Sequence, residues 1–261
     1  MTIDDELISL LKLAKTAAVQ AGKQLEALKN RDTVSSEGKD IKLYADKMSE
    51  EIIIDQFLMR NTEYDILSEE RGLIQRSNGK RTWIVDPLDG SANFFRGLDE
   101  LCCISIALWD GDTPLLGAVY RFGCGEMYSG IVGKGAWKND REIATSGTVS
   151  VSQAVLATGF PVFRDYSDES LKAFVTDIQR FKKVRMLGAA ALMGSLVAEG
   201  KMDAYMEDGI MLWDIAASVA IAKAAGAVVP DHICFPKNDD YRCLCRIFAN
   251  RQLAEDYKGR P

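Results

Sequence analysis

The chain has 261 residues, of which 47% are hydrophobic and 27% charged, an ordinary globular composition with enough length to bury a large core in one domain or two closely packed ones. A formal net charge of −6 without any basic block argues against a nucleic-acid partner held through phosphate contacts, and leaves metal ions and small molecules. No segment approaches the roughly 20 apolar residues that span a bilayer, and the acidic opening "MTIDDELISLL" lacks the basic residues of a signal peptide, so no membrane contact and a cytoplasmic protein are expected.

In chain order, Leu7, Leu11, Ala14, Ala18, Ala21, Leu25 and Leu28 recur at 4-3-4-3 spacing and predict an amphipathic helix over residues 4–28. A second helix is expected over 46–59, burying Met48, Ile52, Ile53 and Phe57. Short strands follow in "YDIL", "RTWIV", "CCISIALW", "PLLGAVYR" and "GEMYSGIV", joined by Asp-Gly and Gly-Cys-Gly turns that suit antiparallel pairing. After the Ser/Thr-rich link "TSGTVSVSQ" the pattern changes to α/β alternation: strand "AVLATGF", a helix near 167–182, a small-residue helix in "GAAALMGSLVAEG", strand "DAYME" and helix "WDIAASVAIAKAAG". The reading is an α/β protein in two lobes. Residues 1–149 hold a helix pair and an antiparallel sheet, and residues 150–261 form an α/β lobe.

The chemistry gathers in three acidic blocks. In "WIVDPLDGSANF" a buried strand ends in Asp86 and Asp89, with Pro87 holding the intervening backbone rigid and the Leu88 carbonyl free to turn outward as an oxygen ligand. Gly90 and Ser91 then open a turn or helix whose backbone N–H groups suit an anion. "YDILSEERG" carries Glu69 and Glu70 just past a strand, and "LWDIAAS" carries Asp214 in the first turn of a helix. Taken singly, each aspartate serves equally as a turn former or helix cap, and the glutamates as surface residues. Together they can form one oxygen-ligand cluster for a hard cation such as magnesium. Carboxylates about 5 Å apart repel by roughly 3 kcal/mol per pair at an effective dielectric near 20, so such a cluster calls for cations.

Six cysteines without a regular framework read as reduced thiols. His232, Cys234, Cys243 and Cys245 fall within fourteen residues, but their H-x-C and C-x-C spacings are not zinc knuckles, and "YRCLCRIFAN" reads as a strand with Cys243 and Cys245 on one side. His232 is the only histidine and sits in no nucleophile context, which disfavours Ser-His-Asp and Cys-His mechanisms.

"WIVDPLDGSANF", with "SEE" upstream and "WDIAASVAIAKAAGA" downstream, resembles the inositol monophosphatase family of magnesium-dependent, lithium-sensitive phosphatases, and "ATGFP", "GKGAW", "DAYMEDG" and "RIFANRQL" extend the likeness over most of the chain. The resemblance implies a layered α/β/α/β/α sandwich, usually a homodimer. It implies that Glu69, Asp86, the Leu88 carbonyl and Asp89 bind metal and that Asp214 closes a second metal site. It makes Asp46 and Ser91 the pair that activates water, with serine where the family commonly has threonine. Gly90 and Ser91 would present N–H groups to the phosphate, while Glu207 and the turn from Gly188 to Ala190 would meet the substrate ring. For the last two, a solvated loop and tight helix packing are the plain alternatives. The segment "PDHICFPKNDDYRCLC" lacks the family's usual Gly-Gly and acidic signature, and Arg71 replaces a small residue. The substrate therefore stays open among inositol monophosphate, fructose bisphosphate, nucleotide bisphosphates and other sugar phosphates, and a non-catalytic member that binds a sugar phosphate or a protein partner is a further alternative.

Overall fold

A computed structural model describes residues 3–28, 31, 33–37, 40–59, 63–76, 79–230 and 240–258. Helix α1 (Ile3–Ala27) is followed by a hairpin of β1 (Thr33–Glu37) and β2 (Asp40–Leu43), then by helix α2 (Tyr44–Met59). Next come β3 (Asp65–Ser68), β4 (Gly72–Ile74), β5 (Arg81–Asp89), the short helix α3 (Ser91–Phe95), β6 (Cys103–Asp110), β7 (Thr113–Arg121), β8 (Glu126–Ile131), β9 (Gly135–Lys138) and β10 (Arg141–Ile143). The remainder comprises β11 (Val155–Thr158), α4 (Asp168–Ile178), β12 (Lys183–Arg185), α5 (Ala190–Ala198), β13 (Ala204–Met211), α6 (Leu212–Ala224), β14 (Arg242–Phe248) and α7 (Arg251–Lys258).

Strands β3 to β10 form an eight-stranded sheet in the order β10-β9-β8-β7-β6-β5-β3-β4, and a four-stranded sheet runs β12-β11-β13-β14. The large sheet is antiparallel except where β3 lies parallel to β5. Alternation along the strands decides the layers. Trp83 and Val85 of β5 face a core built with Leu11, Ala18 and Leu25 of α1 and Ile53 and Phe57 of α2, whereas Ile84 faces the opposite core with α5 and α6. Tyr205, Cys245 and Ile247 of the small sheet meet that second core from the far side, and Leu156, Met206 and Phe248 pack outward against Leu253 and Ile178. The result is the expected α/β/α/β/α sandwich.

The middle helices sit very close to the large sheet. A Cβ placed on Gly117 of β7 would lie 2.3 Å from the Ala217 carbonyl oxygen of α6, so only glycine admits this approach. Trp109 Nε1 donates to the Ala216 carbonyl at 3.2 Å and Ser105 Oγ to the Trp213 carbonyl at 3.3 Å, fixing the start of α6 on β6.

One expectation shifts in detail. Helix α2 buries Ala45, Asp46, Ser49, Glu50, Ile53, Ile54 and Phe57, while Met48 and Ile52 are only partly covered. Its inner face is therefore polar at the start, because that turn points at the end of β5 rather than into the apolar layer. Cys243 and Cys245 are buried on one side of β14, whereas His232 and Cys234 lie outside the described residues. Cys102, Cys103, Cys124, Cys243 and Cys245 are free thiols. Among the described residues no helix is long and apolar enough to cross a membrane.

Candidate active site

The end of β5 is where its ladder with β6 is interrupted. Asp86 opposes Ser105 and Asp89 opposes Cys103, so three steps on β5 match two on β6. This is a bulge, and Pro87 sits within it, where a missing N–H costs no ladder bond. Ser49 of α2 donates to the Pro87 carbonyl at 2.7 Å, and the Leu88 N–H donates to Asp86 Oδ1 at 3.0 Å. The bulge turns Asp86, Leu88 and Asp89 toward one cleft of about 450 Å³, which Glu69, Gly90, Ser91, Glu207 and Asp214 also line.

Ser91 Oγ lies 2.8 Å from Asp46 Oδ1 and 3.0 Å from the Leu88 carbonyl oxygen, so its single proton has two acceptors and its lone pairs remain for a further donor. Asp46 is buried in the first turn of α2. Gly90, between Asp89 and Ser91, has φ 95°, and a Cβ there would lie 3.0 Å from the Leu101 carbonyl oxygen, so both conformation and space demand glycine.

Asp89 is also tied to the second half of the chain. Its carboxylate accepts the Ala190 N–H at 3.0 Å and the Ala191 N–H at 2.7 Å, at the start of α5, and Cys103 Sγ lies 3.4 Å away. The Ala190 N–H is therefore already engaged by Asp89. Gly188, with φ 73°, lies against the side chain of Asn93, which donates to the Leu187 carbonyl at 2.8 Å and joins α3 to the turn before α5. Asp214 accepts the Met211 N–H at 3.2 Å, a helix-capping bond at the start of α6. Glu207 is a buried strand residue of β13, not part of a solvated loop.

The electrostatics of the cleft are those of an acid cluster lacking positive charge. Burial, then the neighbouring Glu69, Asp89 and Asp214, push Asp86 well above the carboxylate range. Glu69 is raised by burial and then by Asp214 and Asp46, and Asp214 by burial and then by Asp89. Glu69 and Asp214 still touch the water of the cleft, yet protein surrounds them on its remaining sides, and the loss of hydration dominates. Burial lifts Asp89 to about 6 against the pull of the α5 N–H groups, and lifts Glu207 to about 8. As they stand, no three acid side chains among the described residues form a closed ligand set. The donors are nonetheless all oxygen, Asp86 is within hydrogen-bonding reach of both Glu69 and Asp214, and a divalent cation would relieve the burial and repulsion that raise every one of them. The residues present fit such an ion.

Sequence reasoning missed the supports of this site. Glu50, buried on α2, accepts the Arg71 N–H at 3.1 Å and pairs with Arg71 Nε at 3.0 Å, fastening the turn that carries Glu69 to the helix that carries Asp46. The unusual Arg71 is thus part of a clamp, and a charged residue at the fourth position after Asp46 was its only sequence signal. The apolar wall from Phe160 to Phe163 was missed too, although "GFPVF" placed directly after a strand marks it.

The sequence profile described as the inositol monophosphatase family matches residues 5–250. The chain belongs to that family. Inositol-1-monophosphatase of Mesorhizobium japonicum is 33% identical over 228 residues, covering 85% of each chain. Fructose-1,6-bisphosphatase/inositol-1-monophosphatase of Aquifex aeolicus is 34% identical over 230 residues, covering 86% of each. Among solved structures, the extragenic suppressor protein suhB of Bartonella henselae superposes with a TM-score of 0.84 at 25% identity, over 96% of this chain and 97% of its own. As a family member the chain is a phosphoric monoester hydrolase acting on small phosphate esters, in a family that generally uses a divalent metal.

Proposed function

We propose that the chain is a magnesium-dependent phosphomonoesterase that hydrolyses inositol monophosphate or a related sugar phosphate through an activated water, and that it works as a cytoplasmic homodimer. The observation that carries the reading is the meeting, in one cleft, of Glu69, Asp86, the Leu88 carbonyl, Asp89 and Asp214 with the hydrogen-bonded pair of Ser91 and Asp46. These five groups would hold the magnesium, which when bound lowers the cost of deprotonating water and of building charge on the leaving oxygen. In this scheme residues 1–149 supply four of the five ligands and residues 150–261 supply Asp214 and the substrate wall.

Ser91 donates to Asp46 and so presents an Oγ lone pair to the attacking water. As oxygen bonds to phosphorus, the water proton passes to Ser91 Oγ while the serine proton moves to Asp46, and the P–O bond to the ester breaks on the opposite side, the leaving alkoxide taking its proton from solvent water. The backbone N–H groups of Gly90 and Ser91 bind phosphate oxygens, and Glu207, in the middle of β13, orients hydroxyls of the alcohol together with the Gly188–Ala190 turn. Burial and then the charge of Asp89 raise Glu207 to about 8, which favours its protonated form, able to donate as well as accept.

The name of the Aquifex relative includes fructose-1,6-bisphosphatase, which makes a sugar bisphosphate the second substrate reading. A panel of phosphate esters, each assayed with magnesium, with chelator and with millimolar lithium, tests the proposal. Magnesium-dependent phosphate release that lithium suppresses is expected, and full turnover after exhaustive chelation refutes it.

A further inference from the structure

Beside the catalytic cleft lies a second cavity of about 270 Å³, and Glu207 belongs to the walls of both. Its floor comes from β11 and β13, its roof from one face of α4, and Arg164 and Arg246 enter from the sides. The stretch from Phe160 to Arg164 runs along both cavities. Phe160 and Phe163 face the cleft and Arg164 faces the second space.

Arg164 is 8% exposed. Its guanidinium carbon lies 4.3 Å from the ring centre of Phe174 and 5.9 Å from that of Phe160, two rings that meet at a tilt of 60°, so aromatic carbon rather than a polar partner covers much of it. Nε is enclosed without a hydrogen-bond acceptor, and the nearest carboxylate oxygen, on Asp208, stands 4.0 Å from Nη1. Glu207 lines the same cavity and feels the charge of Arg164 without an ion pair to it, and the remaining charged groups are engaged mainly with one another. Asp208 pairs with Arg246 at 2.6 Å, Arg246 also donates to the Cys245 carbonyl at 2.9 Å, and Asp177 takes Arg180 at 3.1 Å and the Tyr257 hydroxyl at 2.8 Å. Among the described residues Arg164 is thus a buried cation with donors to spare. Burying a guanidinium in that state is unfavourable unless an acceptor arrives, and its planar fork matches a carboxylate or phosphate. Ser170, in the first turn of α4, lines the same space and adds a hydroxyl.

We propose that Arg164 receives a second anionic group of the substrate, a phosphate or carboxylate carried on the alcohol part, while the scissile phosphate lies in the catalytic cleft. The inference rests on the phosphatase reading and sharpens it. The preferred ester is doubly anionic, spanning the wall formed by Glu207, and Arg164 selects it over the singly phosphorylated analogue.

The test compares fructose 1,6-bisphosphate with fructose 1-phosphate on the wild type, Arg164→Met and Arg164→Lys, all with magnesium. The methionine variant should lose at least tenfold in kcat/KM on the bisphosphate, mainly through KM, and stay within twofold of wild type on the monophosphate, with lysine intermediate. Equal losses on both esters, or no loss on either, overturn the proposal. Two further readouts need no turnover. With chelator and no ligand, Arg164→Met should melt at or above the wild type, since an unsatisfied buried charge has been removed, and a clear drop means that Arg164 serves the fold alone. Calorimetric titration of fructose 1,6-bisphosphate in chelator should show binding at least tenfold weaker in Arg164→Met, and an unchanged Kd overturns the assignment. Failure of every ester to turn over with magnesium would strike the phosphatase reading, while the titration still judges Arg164.

Discussion

Replacing Asp89 by asparagine sets two effects of known sign against each other. Lifting this carboxyl from 3.8 to about 6 corresponds to about 3 kcal/mol of disfavour for its charged form in the metal-free protein. Because the folded-state value is raised, the stabilising share of Asp89 is complete below about pH 4 and is lost as the pH rises through about 6. Asparagine removes that loss. It also has only one acceptor oxygen for the two N–H groups of Ala190 and Ala191, and leaving one of them unmet costs about 1–3 kcal/mol. The second cost is independent of pH, so the difference between two pH values isolates the first. Roughly half of the charge penalty is already present at pH 5, and the variant should gain about 1.5 kcal/mol on the wild type between pH 5 and pH 8, on the order of 4 °C in melting temperature. Thermal melts in chelator at both values read this directly. Added magnesium should then stabilise the wild type more than the variant, and activity should vanish. A variant destabilised equally at both pH values, and still catalytic, would mean that Asp89 only caps α5.

Ser91→Ala should lower kcat roughly 100-fold with little change in KM, because the proton relay belongs to the transition state, while Ser91→Thr stays active; steady-state kinetics decide. Glu50→Ala frees the turn carrying Glu69, and should destabilise the protein by about 2 kcal/mol and raise the magnesium concentration needed for half-maximal activity, both read by titration. Gly117→Ala should cost about 3 kcal/mol in denaturant melts, since a Cβ 2.3 Å from the Ala217 carbonyl oxygen forces α6 off the sheet; an unchanged midpoint would refute the close packing.

Much of this architecture can be read from pattern. Leu7 to Leu25 announce α1 because the helix buries one continuous stripe, and the strand "RTWIV" announces β5 because both of its faces are covered. β4, β9 and β10 escape because three or four residues are too few to show alternation. The parallel pairing of β3 with β5 escapes because a strand's own sequence does not name its neighbour. At the site, Asp86, Asp89 and Ser91 are legible since they fall within six residues at the end of β5 and the start of α3. The double duty of Asp89 is not, because its partners Ala190 and Ala191 lie about a hundred residues away. Ser49 and Glu50 show the same limit: apolar periodicity places the buried face of α2 on Met48, Ile52, Ile53 and Phe57, which holds for the last two, whereas a polar group with a waiting partner is buried just as readily.

The bulge at the end of β5 also bears on motion. Asp86 and Asp89 close a strand that pairs with β3 as far as Val85 and with β6 out to Asp89, so displacing them means peeling β5 from β6 inside the large sheet, a costly opening. The stretch from Phe160 to Phe163 hangs from the end of β11 without a strand partner and exposes Phe160, Val162 and Phe163. Amide exchange should therefore be slowest at the acids and fast at the facing wall, so that the cleft admits and releases its ester by breathing on one side while the acids keep their spacing.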